Sequence, residues 1–173
     1  MLLILEGPDG SGKSTLATIL AKKYNASVTH HHAYKGYDSE SLTKIFLESI
    51  VPALCSDKNN VVLDRCWISE EIYAEEFRYE KSRLSEYQSD RLNVITRLCR
   101  SALIACLPPY EVAFNNWSNP ERDELVKDHK DYQAVYYRYK NSLFYRPGIP
   151  MFTYDYTKDS HDALFSQLDY LLL

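Results

Sequence analysis

The sequence predicts an α/β protein of three layers, in which helices cover both faces of a five-stranded parallel sheet. Three observations predict this class. Short apolar runs alternate with longer segments of helical periodicity over the whole chain. Turn signals rich in proline, glycine or asparagine separate these segments. No repeat or flexible linker interrupts the 173 residues, so we predict a single domain, 1–173, with right-handed crossovers.

Five apolar runs predict the strands. The first is continuously apolar before its final charge, which is typical of a strand buried on both faces of a parallel sheet. Asn59-Asn60 is a turn signal ahead of the third run, and Pro108-Pro109 ends the fourth. The predicted strands are 2–6, 27–31, 61–64, 102–107 and 149–155.

Apolar residues at helical spacing predict the helices between these strands. In the first helix, Leu16, Leu20 and Tyr24 lie on one stripe. Pro52 weakens the last turn of the second helix, and Pro147-Gly148 ends a tyrosine-rich helix. The predicted helices are 13–24, 39–54, 66–78, 84–100, the tyrosine-rich helix that ends near 143, and 159–172.

Composition and charge restrict the function classes. The net charge of −4 argues against broad affinity for nucleic acid but not against a local basic groove. No apolar run approaches the roughly 18 residues of a membrane span, and Met1 leads almost directly into the first strand, which leaves no room for a signal peptide. The four cysteines show no metal-ligand spacing, so we expect thiols. We predict a soluble cytoplasmic protein, in the host cytoplasm if the chain is viral.

Three of the five glycines fall in one loop between the first strand and the first helix. Its sequence, Gly7-Pro8-Asp9-Gly10-Ser11-Gly12-Lys13-Ser14, satisfies the P-loop pattern G-x-x-x-x-G-K-[ST]. Glycines allow successive backbone N–H groups to surround phosphate oxygens, and the following helix adds the positive end of its dipole. The alternative is a glycine-rich turn that binds nothing.

The loop predicts ATP as the phosphoryl donor and Mg²⁺ as the cofactor. Lys13 is expected to contact the β- and γ-phosphates, and the Ser14 hydroxyl is expected to bind Mg²⁺. The predicted donor-binding residues are Gly7, Asp9, Gly10, Ser11, Gly12, Lys13, Ser14 and Thr15.

The third strand ends in Asp64-Arg65. An acid at the end of a strand beside a P-loop completes the Mg²⁺ shell, usually through water, so Asp64 is the second predicted metal residue. It could instead accept a proton from the attacking group, or cap the next helix. Arg65 suits bidentate capture of a phosphate. The alternative for Arg65 is a surface ion pair with Glu70 or Glu71.

Two segments resemble thymidylate kinases. Residues 6–15, EGPDGSGKST, resemble the loop E-G-x-D-G-x-G-K-[ST]-T of that family. Residues 64–73, DRCWISEEIY, resemble its segment D-R-Y-x-x-S-x-x-A-Y, with Cys66 and Ile72 as the two departures. Residues 154–157, YDYT, are similar to a segment of small phage-type members of this superfamily. The chain therefore looks like a thymidylate kinase-like P-loop nucleoside monophosphate kinase.

The resemblance implies a nucleotide substrate, an acceptor pocket, a mobile helical lid and the possibility of a homodimer. Asp9 matches the acid that contacts the acceptor's sugar hydroxyl, and Arg65 matches the arginine that positions the acceptor phosphate. Ser69 and Tyr73, one helical turn apart, would line the acceptor pocket. For Ser69 the alternative is a hydrogen bond within its own helical turn, and for Tyr73 it is core packing.

The chain departs from the family after the second strand, where His30-His31-His32 replaces an E-P-G-type segment. Adjacent side chains of a strand point to opposite faces, so three consecutive histidines cannot converge on one metal ion. One of them could face the acceptor. The arginine that cellular enzymes carry ahead of the third strand has no clear counterpart, which leaves base and sugar selectivity open.

A polar stretch of mixed charge, about 115–131, is the predicted lid insertion. Arg122 is the leading candidate for an arginine that stabilises the transition state, with Lys127 and Lys130 behind it. The alternative is a solvated helix face. Arg78 is a further candidate ligand of the acceptor phosphate. We expect the tyrosines of the next helix to serve packing rather than base stacking. The predicted catalytic set is Lys13, Asp9, Asp64, Arg65 and Arg122.

Three functions stay open at this point. The first is a kinase of a deoxynucleoside monophosphate such as dTMP or a modified pyrimidine nucleotide. The second is a kinase of a hydroxyl, on a nucleoside or on a modified base (5-hydroxymethyluracil) in viral DNA, with Asp9 or Asp64 as the base. Only this second function would bring a nucleic acid partner. The third is a nucleotide-dependent switch without catalysis.

Overall fold

The computed structural model describes residues 1–32, 34, 36–56, 58–76, 81–118, 128–142 and 148–172. Within these residues the strands are β1 (Leu2–Glu6), β2 (Ala26–His30), β3 (Asn60–Asp64), β4 (Ser101–Cys106) and β5 (Met151–Tyr154). The helices are α1 (Lys13–Tyr24), α2 (Ser39–Cys55), α3 (Trp67–Glu76), α4 (Glu86–Leu98), α5 (Tyr110–Trp117), α6 (His129–Ser142) and α7 (His161–Leu172).

The strands form one parallel sheet in the order β2-β3-β1-β4-β5. β1 lies at the centre, with Leu5 opposite Asp64 of β3 and Glu6 opposite Ala105 of β4. The chain therefore leaves β1 at the point where the strand order reverses, which is where α/β sheets bind their ligands. The predicted α/β class with a five-stranded parallel sheet is confirmed.

Two apolar cores lie on the two faces of the sheet, because successive side chains of a strand point to opposite sides. Leu2 and Ile4 of β1 belong to the core that includes residues of α2 to α6. Leu3 and Leu5 belong to the core that includes residues of α1 and α7. Glu6, the last residue of β1, is fully buried although it is charged. A charge buried at this position needs partners, and it marks the site described below.

Helix α5 is the one element of the described chain that the sequence analysis missed. Pro108-Pro109 was interpreted only as the end of a strand, but Pro109 also occupies the N-cap position of α5. Proline is tolerated at the start of a helix, where its missing N–H would have no intrahelical partner. Ala113 and Trp117 give α5 its buried face. Positions 115–117 of the predicted lid thus belong to α5, and positions 129–131 belong to α6.

β1 and α1 have their predicted bounds, and the other predicted elements differ from theirs by a few residues. α4 begins at Glu86 rather than 84 because Ser85 and Gln88 form a capping box. α2 continues through Pro52 to Cys55. The four cysteines are thiols as predicted, and Cys66, Cys99 and Cys106 are buried. Of the described helices, none has both the length and the apolar character needed to cross a membrane.

Candidate functional site

The P-loop connects β1 to α1 through a turn that approaches other backbone closely. Gly10 has a φ of 77°, in the left-handed region that favours glycine. A Cβ atom at Gly10 would overlap the carbonyl oxygen of Ala113 and lie 2.8 Å from the backbone nitrogen of Trp117. The glycine is therefore required both by its backbone conformation and by the packing of α5 against the loop.

We expect Gly10→Ala to destabilise the protein by several kcal/mol, because backbone strain of about 1–2 kcal/mol is added to a steric overlap with α5. Gly36→Ala is the matched control. Gly36 has a φ of 78°, but a Cβ added there would meet no atom within 4 Å, so this variant carries only the strain. Thermal unfolding of both variants measures the difference, and equal losses would contradict the packing account.

Lys13, the first residue of α1, is buried. Its ammonium donates to the carbonyl oxygen of Pro8 at 2.6 Å and to the Ser11 hydroxyl at 3.3 Å. Burial, and then the nearby charge of Arg65, lower the pKa of Lys13 to about 8, although Asp9 and Asp64 oppose this shift. The ammonium thus donates to atoms of its own loop. It also lies beside the cavity that would hold the phosphates.

Ser14 and Asp64 lie together as predicted. The Ser14 hydroxyl donates to Asp64 Oδ2 at 2.6 Å, and His30 Nδ1 is 2.7 Å from the same oxygen. Asp64 is almost fully buried, and its Oδ1 has no hydrogen-bond partner among the residues that the structure describes. A buried carboxylate oxygen without a donor, next to a serine hydroxyl, fits the oxygen ligands and metal-bound waters that Mg²⁺ prefers. Asp64 faces the P-loop rather than capping α3.

The Arg65 side chain is 12% exposed and lies beside the P-loop rather than at the surface. Its backbone lies in the left-handed region, with φ 74°, a conformation that persists only where the surroundings fix it. Nη1 donates to Gly7 O, to Ser69 Oγ and to Tyr139 OH, at 3.3, 3.2 and 3.2 Å. The alternative of a surface ion pair with Glu70 or Glu71 is wrong, because the Arg65 guanidinium pairs with Asp9 away from the surface; Glu70 pairs with Arg83 at 2.7 Å.

Asp9 forms the ion pair of this site. Arg65 Nη2 donates to Asp9 Oδ1, and the Tyr73 hydroxyl donates to Asp9 Oδ2 at 2.9 Å. Burial alone would raise the pKa of Asp9, but the charges of Arg65 and Lys13 outweigh it, and the pKa lies below its ordinary value. Asp9 is therefore an ionised carboxylate between the phosphate loop and the arginine. Tyr73 is a buried polar partner as well as a packing residue.

Glu6 is a residue of this site that the sequence analysis did not single out. Its carboxylate accepts the backbone N–H of Cys66 at 2.8 Å, the hydroxyl of Ser69 at 2.7 Å and the hydroxyl of Tyr139 at 3.1 Å. It therefore joins β1, α3 and α6 beneath Arg65. A charge at the end of an otherwise apolar buried strand was the available signal for it.

Helices α5 and α6 contact the P-loop directly. The Asn116 side chain donates to Gly10 O at 3.1 Å, and the Tyr132 hydroxyl donates to Asp9 O at 2.8 Å. The sequence analysis assigned no role to Asn116 because it had not recognised α5. Tyr132, Tyr136 and Tyr139 of α6 do pack in the core, as expected, whereas Tyr137 is exposed. The hydroxyls of Tyr132 and Tyr139 also reach the site.

A cavity of 930 Å³ opens above the P-loop. Its lining includes the P-loop, His30, Arg65 and the segment after β5. Asn116 and Tyr156 meet in it, since the Asn116 amide donates to the Tyr156 hydroxyl at 2.7 Å. A cavity of this size, with cations and backbone amides at its floor, has room for a nucleotide.

His30 and His31 have different surroundings. His31 is buried between the Tyr34 hydroxyl at 2.8 Å and the Ser49 hydroxyl at 3.1 Å. Burial, and then the neighbouring histidines, lower its pKa to about 4, so it stays neutral. His30 faces Asp64 and the cavity. Among the described residues, no three histidine, cysteine or acidic side chains are grouped to hold a metal ion.

The structure thus brings together most of the predicted site residues around the P-loop. Arg78, Arg122 and Lys127 fall outside the described residues. Lys130 lies in the first turn of α6, where it is exposed. The residues that meet are Asp9, Lys13, Ser14, Asp64, Arg65, Ser69 and Tyr73.

Comparison with known proteins supports the fold. No protein-family model and no curated protein sequence matches the chain. Solved structures do match. The YorR protein from Bacillus subtilis, in complex with phosphorylated GDP, is similar at 22% identity and a TM-score of 0.74, over 99% of this chain and 95% of its own. Deoxyadenosine kinase from M. mycoides with bound dCTP is similar at 16% identity and a TM-score of 0.63, over 98% of this chain and 100% of its own. The chain therefore shares the fold of these proteins.

Proposed function

We propose that this protein is a kinase that transfers the γ-phosphoryl group of ATP, with Mg²⁺, to a nucleoside monophosphate such as dTMP or a modified pyrimidine deoxynucleotide. The observation that carries the proposal is the position of Arg65. A guanidinium that is only 12% exposed lies beside the P-loop, where its charge acts on Lys13 and it pairs with an ionised carboxylate. This arrangement supports a role for Arg65 as a phosphate-binding cation next to the expected position of the donor's γ-phosphate.

On the donor side, backbone N–H groups of the P-loop and the ammonium of Lys13 would hold the β- and γ-phosphates. Ser14 and Asp64 would hold Mg²⁺, which, when bound, neutralises charge on these phosphates. Lys13 now donates to Pro8 O and Ser11 Oγ, and a phosphate would replace these two acceptors. Its buried position means that the charge acts without competing water.

On the acceptor side, Arg65 would hold the acceptor phosphate and Asp9 would accept a hydrogen bond from the sugar hydroxyl. An oxygen of the acceptor phosphate attacks the γ-phosphorus, and the bond to the β,γ-bridging oxygen breaks. The attacking oxygen is already anionic, so no base is required. Tyr73 and Ser69 hold Asp9 and Arg65 in place. The similarity to a nucleotide-bound protein and to deoxyadenosine kinases supports a nucleotide or nucleoside as the acceptor.

The carboxylate of Asp9 also favours a second function, the transfer of the phosphoryl group to a hydroxyl. Asp9 is an ionised carboxylate within the P-loop, and such a group can accept the proton of a hydroxyl acceptor. The hydroxyl of a nucleoside, or of a modified base in DNA, would then give its proton to Asp9 or Asp64 as it attacks the γ-phosphorus. The deoxyadenosine kinases among the similar structures support the nucleoside version of this function.

The deciding experiment measures ADP release from purified protein with ATP, Mg²⁺ and one acceptor at a time. The panel contains nucleoside monophosphates, nucleosides and DNA duplexes with and without 5-hydroxymethyluracil. Turnover with dTMP or another monophosphate supports the first function. Turnover with a nucleoside or duplex alone would assign the second, and no acceptor-stimulated turnover would contradict both.

We expect Asp64→Asn to lower kcat by about 100-fold and to raise the Mg²⁺ concentration needed for half-maximal rate, because the amide cannot replace the carboxylate charge beside Ser14. Asp169→Asn is the control, since Asp169 accepts the Tyr24 hydroxyl at the far end of α1. Mg²⁺ titrations of the rate measure both variants. An unchanged Mg²⁺ requirement in Asp64→Asn would remove Asp64 from the metal site.

The resemblance leaves three further features as proposals. The thymidylate kinase-like subtype, the cytoplasmic location and the homodimer are expectations that the acceptor panel, cell fractionation and sedimentation can each test. The organisation of 1–173 as a single domain with a lid insertion within 115–131 is likewise a prediction. Its central positions, 119–127, lie outside the described residues.

A further inference from the structure

Three tyrosines of α6 form one buried face of that helix. Tyr132, Tyr136 and Tyr139 are 0%, 5% and 0% exposed, and their spacing places them on the same side. The three hydroxyls nevertheless reach different acceptors. Tyr132 donates to Asp9 O and Tyr139 donates to Glu6 Oε2, both in the proposed substrate site. Tyr136 instead donates to Pro108 O at 2.8 Å.

Tyr132 holds the backbone of Asp9. Its ring stacks on Trp117, with centroids 4.5 Å apart, and its hydroxyl donates to Asp9 O at 2.8 Å. The carboxylate of Asp9 is held separately by Arg65 and Tyr73. Asp9 is thus fixed at both its backbone and its side chain, although it lies in a loop.

Tyr139 contacts the guanidinium of Arg65. Its hydroxyl accepts from Arg65 Nη1 at 3.2 Å and donates towards Glu6 Oε2 at 3.1 Å. Ser69 makes the same two kinds of contact, with Arg65 Nη1 at 3.2 Å and with Glu6 Oε2 at 2.7 Å. The two hydroxyls therefore link the cation to the buried carboxylate of Glu6. Hydrogen bonds arranged in this way, from cation through hydroxyl to anion, polarise one another.

We propose that Tyr132 and Tyr139 are positioning residues for the acceptor site, which hold the Asp9–Arg65 pair at the geometry that receives the acceptor. The inference rests on the proposed function, in which Asp9 and Arg65 bind the acceptor. Neither tyrosine touches the reacting atoms. Each fixes one member of the pair: Tyr132 fixes Asp9 through its carbonyl, and Tyr139 fixes Arg65 through its guanidinium.

Tyr136 supplies a matched control on the same helix. Its hydroxyl also donates to a buried backbone carbonyl at 2.8 Å, but that carbonyl belongs to Pro108, after β4. The variants Tyr132→Phe, Tyr136→Phe and Tyr139→Phe each remove one hydroxyl and keep the packed ring. Steady-state kinetics with varied acceptor, steady-state kinetics with varied ATP, and thermal unfolding are measured for all three.

Tyr132→Phe and Tyr139→Phe are expected to raise the acceptor KM about tenfold, because each loses a hydrogen bond that orients a charged ligand of the acceptor. The KM for ATP is expected to stay near its wild-type value. Tyr136→Phe is expected to lower the Tm comparably and to leave both KM values unchanged. Equal changes in acceptor KM for all three variants, or none in Tyr132→Phe and Tyr139→Phe, would overturn the inference.

A crystal structure of each variant separates this inference from the proposed function. If the wild-type protein turns over no acceptor, the proposed function fails, and the position of the Asp9–Arg65 pair still tests the inference. We expect Arg65 to shift away from Gly7 O in Tyr139→Phe, the Asp9 carbonyl to turn in Tyr132→Phe, and both to stay in place in Tyr136→Phe. An unmoved pair in the first two variants would contradict the positioning role.

Discussion

Lys13→Ala is expected to lower kcat by at least about 10³-fold and to leave the protein folded. The ammonium is the buried cation closest to the expected γ-phosphate, and its charge is worth most in the transition state, where charge moves onto the leaving oxygen. The folded state does not need it, because Lys13 only bonds atoms of its own loop. The measurement is the rate of ADP release at saturating acceptor, with circular dichroism as the test of folding.

Lys23→Ala is the control for this prediction. Lys23 lies near the end of α1, where its side chain is 43% exposed, and we expect its loss to leave turnover unchanged. Turnover retained in Lys13→Ala at the level of Lys23→Ala would refute the role assigned to Lys13.

The same lysine predicts a pH dependence of stability. The pKa of Lys13 is lowered from 10.5 to about 8 by burial, and then by Arg65. Between these pH values the unfolded chain binds the proton and the folded chain does not, so the lysine's contribution to stability rises with pH across this window. Below about pH 8 the buried charge lowers the free energy of unfolding relative to Lys13→Met. Urea unfolding of both proteins at the two ends of the window measures this difference, and parallel pH profiles would contradict it.

Arg65→Ala is expected to raise the acceptor KM by about 100-fold and to lower stability by about 3–5 kcal/mol. The affinity is lost because the proposed phosphate ligand is gone. The stability is lost because the Asp9 carboxylate, which is only 12% exposed, loses its cation. Kinetics with varied acceptor and varied ATP, together with urea unfolding, measure the two effects. An increase confined to the KM for ATP would place Arg65 on the donor side.

The double variant Asp9→Asn/Arg65→Ala separates these two effects. Removing the carboxylate with its cation is expected to recover much of the lost stability. It is not expected to recover acceptor binding, since both proposed acceptor contacts are then absent. Recovery of acceptor KM together with stability would show that Arg65 acts only through folding.

The elements nearest the P-loop could be predicted best from the sequence. β1 and α1 have their predicted bounds, because the loop motif requires a strand before it and a helix after it. The Asp64–Arg65 segment likewise lies where a parallel sheet places the end of β3, next to β1. In these cases local pattern and tertiary structure agree.

Contacts between distant segments could not be predicted in the same way. Glu6 and Tyr139 are 133 residues apart, and no local pattern links the end of a strand to the last turns of a helix. The ion pair of Asp9 and Arg65 was also not predicted, although each residue had been assigned to the acceptor. α5 was missed because one proline pair both ends β4 and begins the helix, and with it the contact of Asn116 to Gly10.

A crystal structure with a non-hydrolysable ATP analogue and Mg²⁺ tests the central claim most directly. The phosphates are expected to lie against the backbone N–H groups of residues 10–14, with Lys13 Nζ moved from Pro8 O to a phosphate oxygen. If Lys13 keeps its bond to Pro8 O and the analogue, at saturating concentration, binds elsewhere or not at all, this protein is not a kinase of the proposed kind.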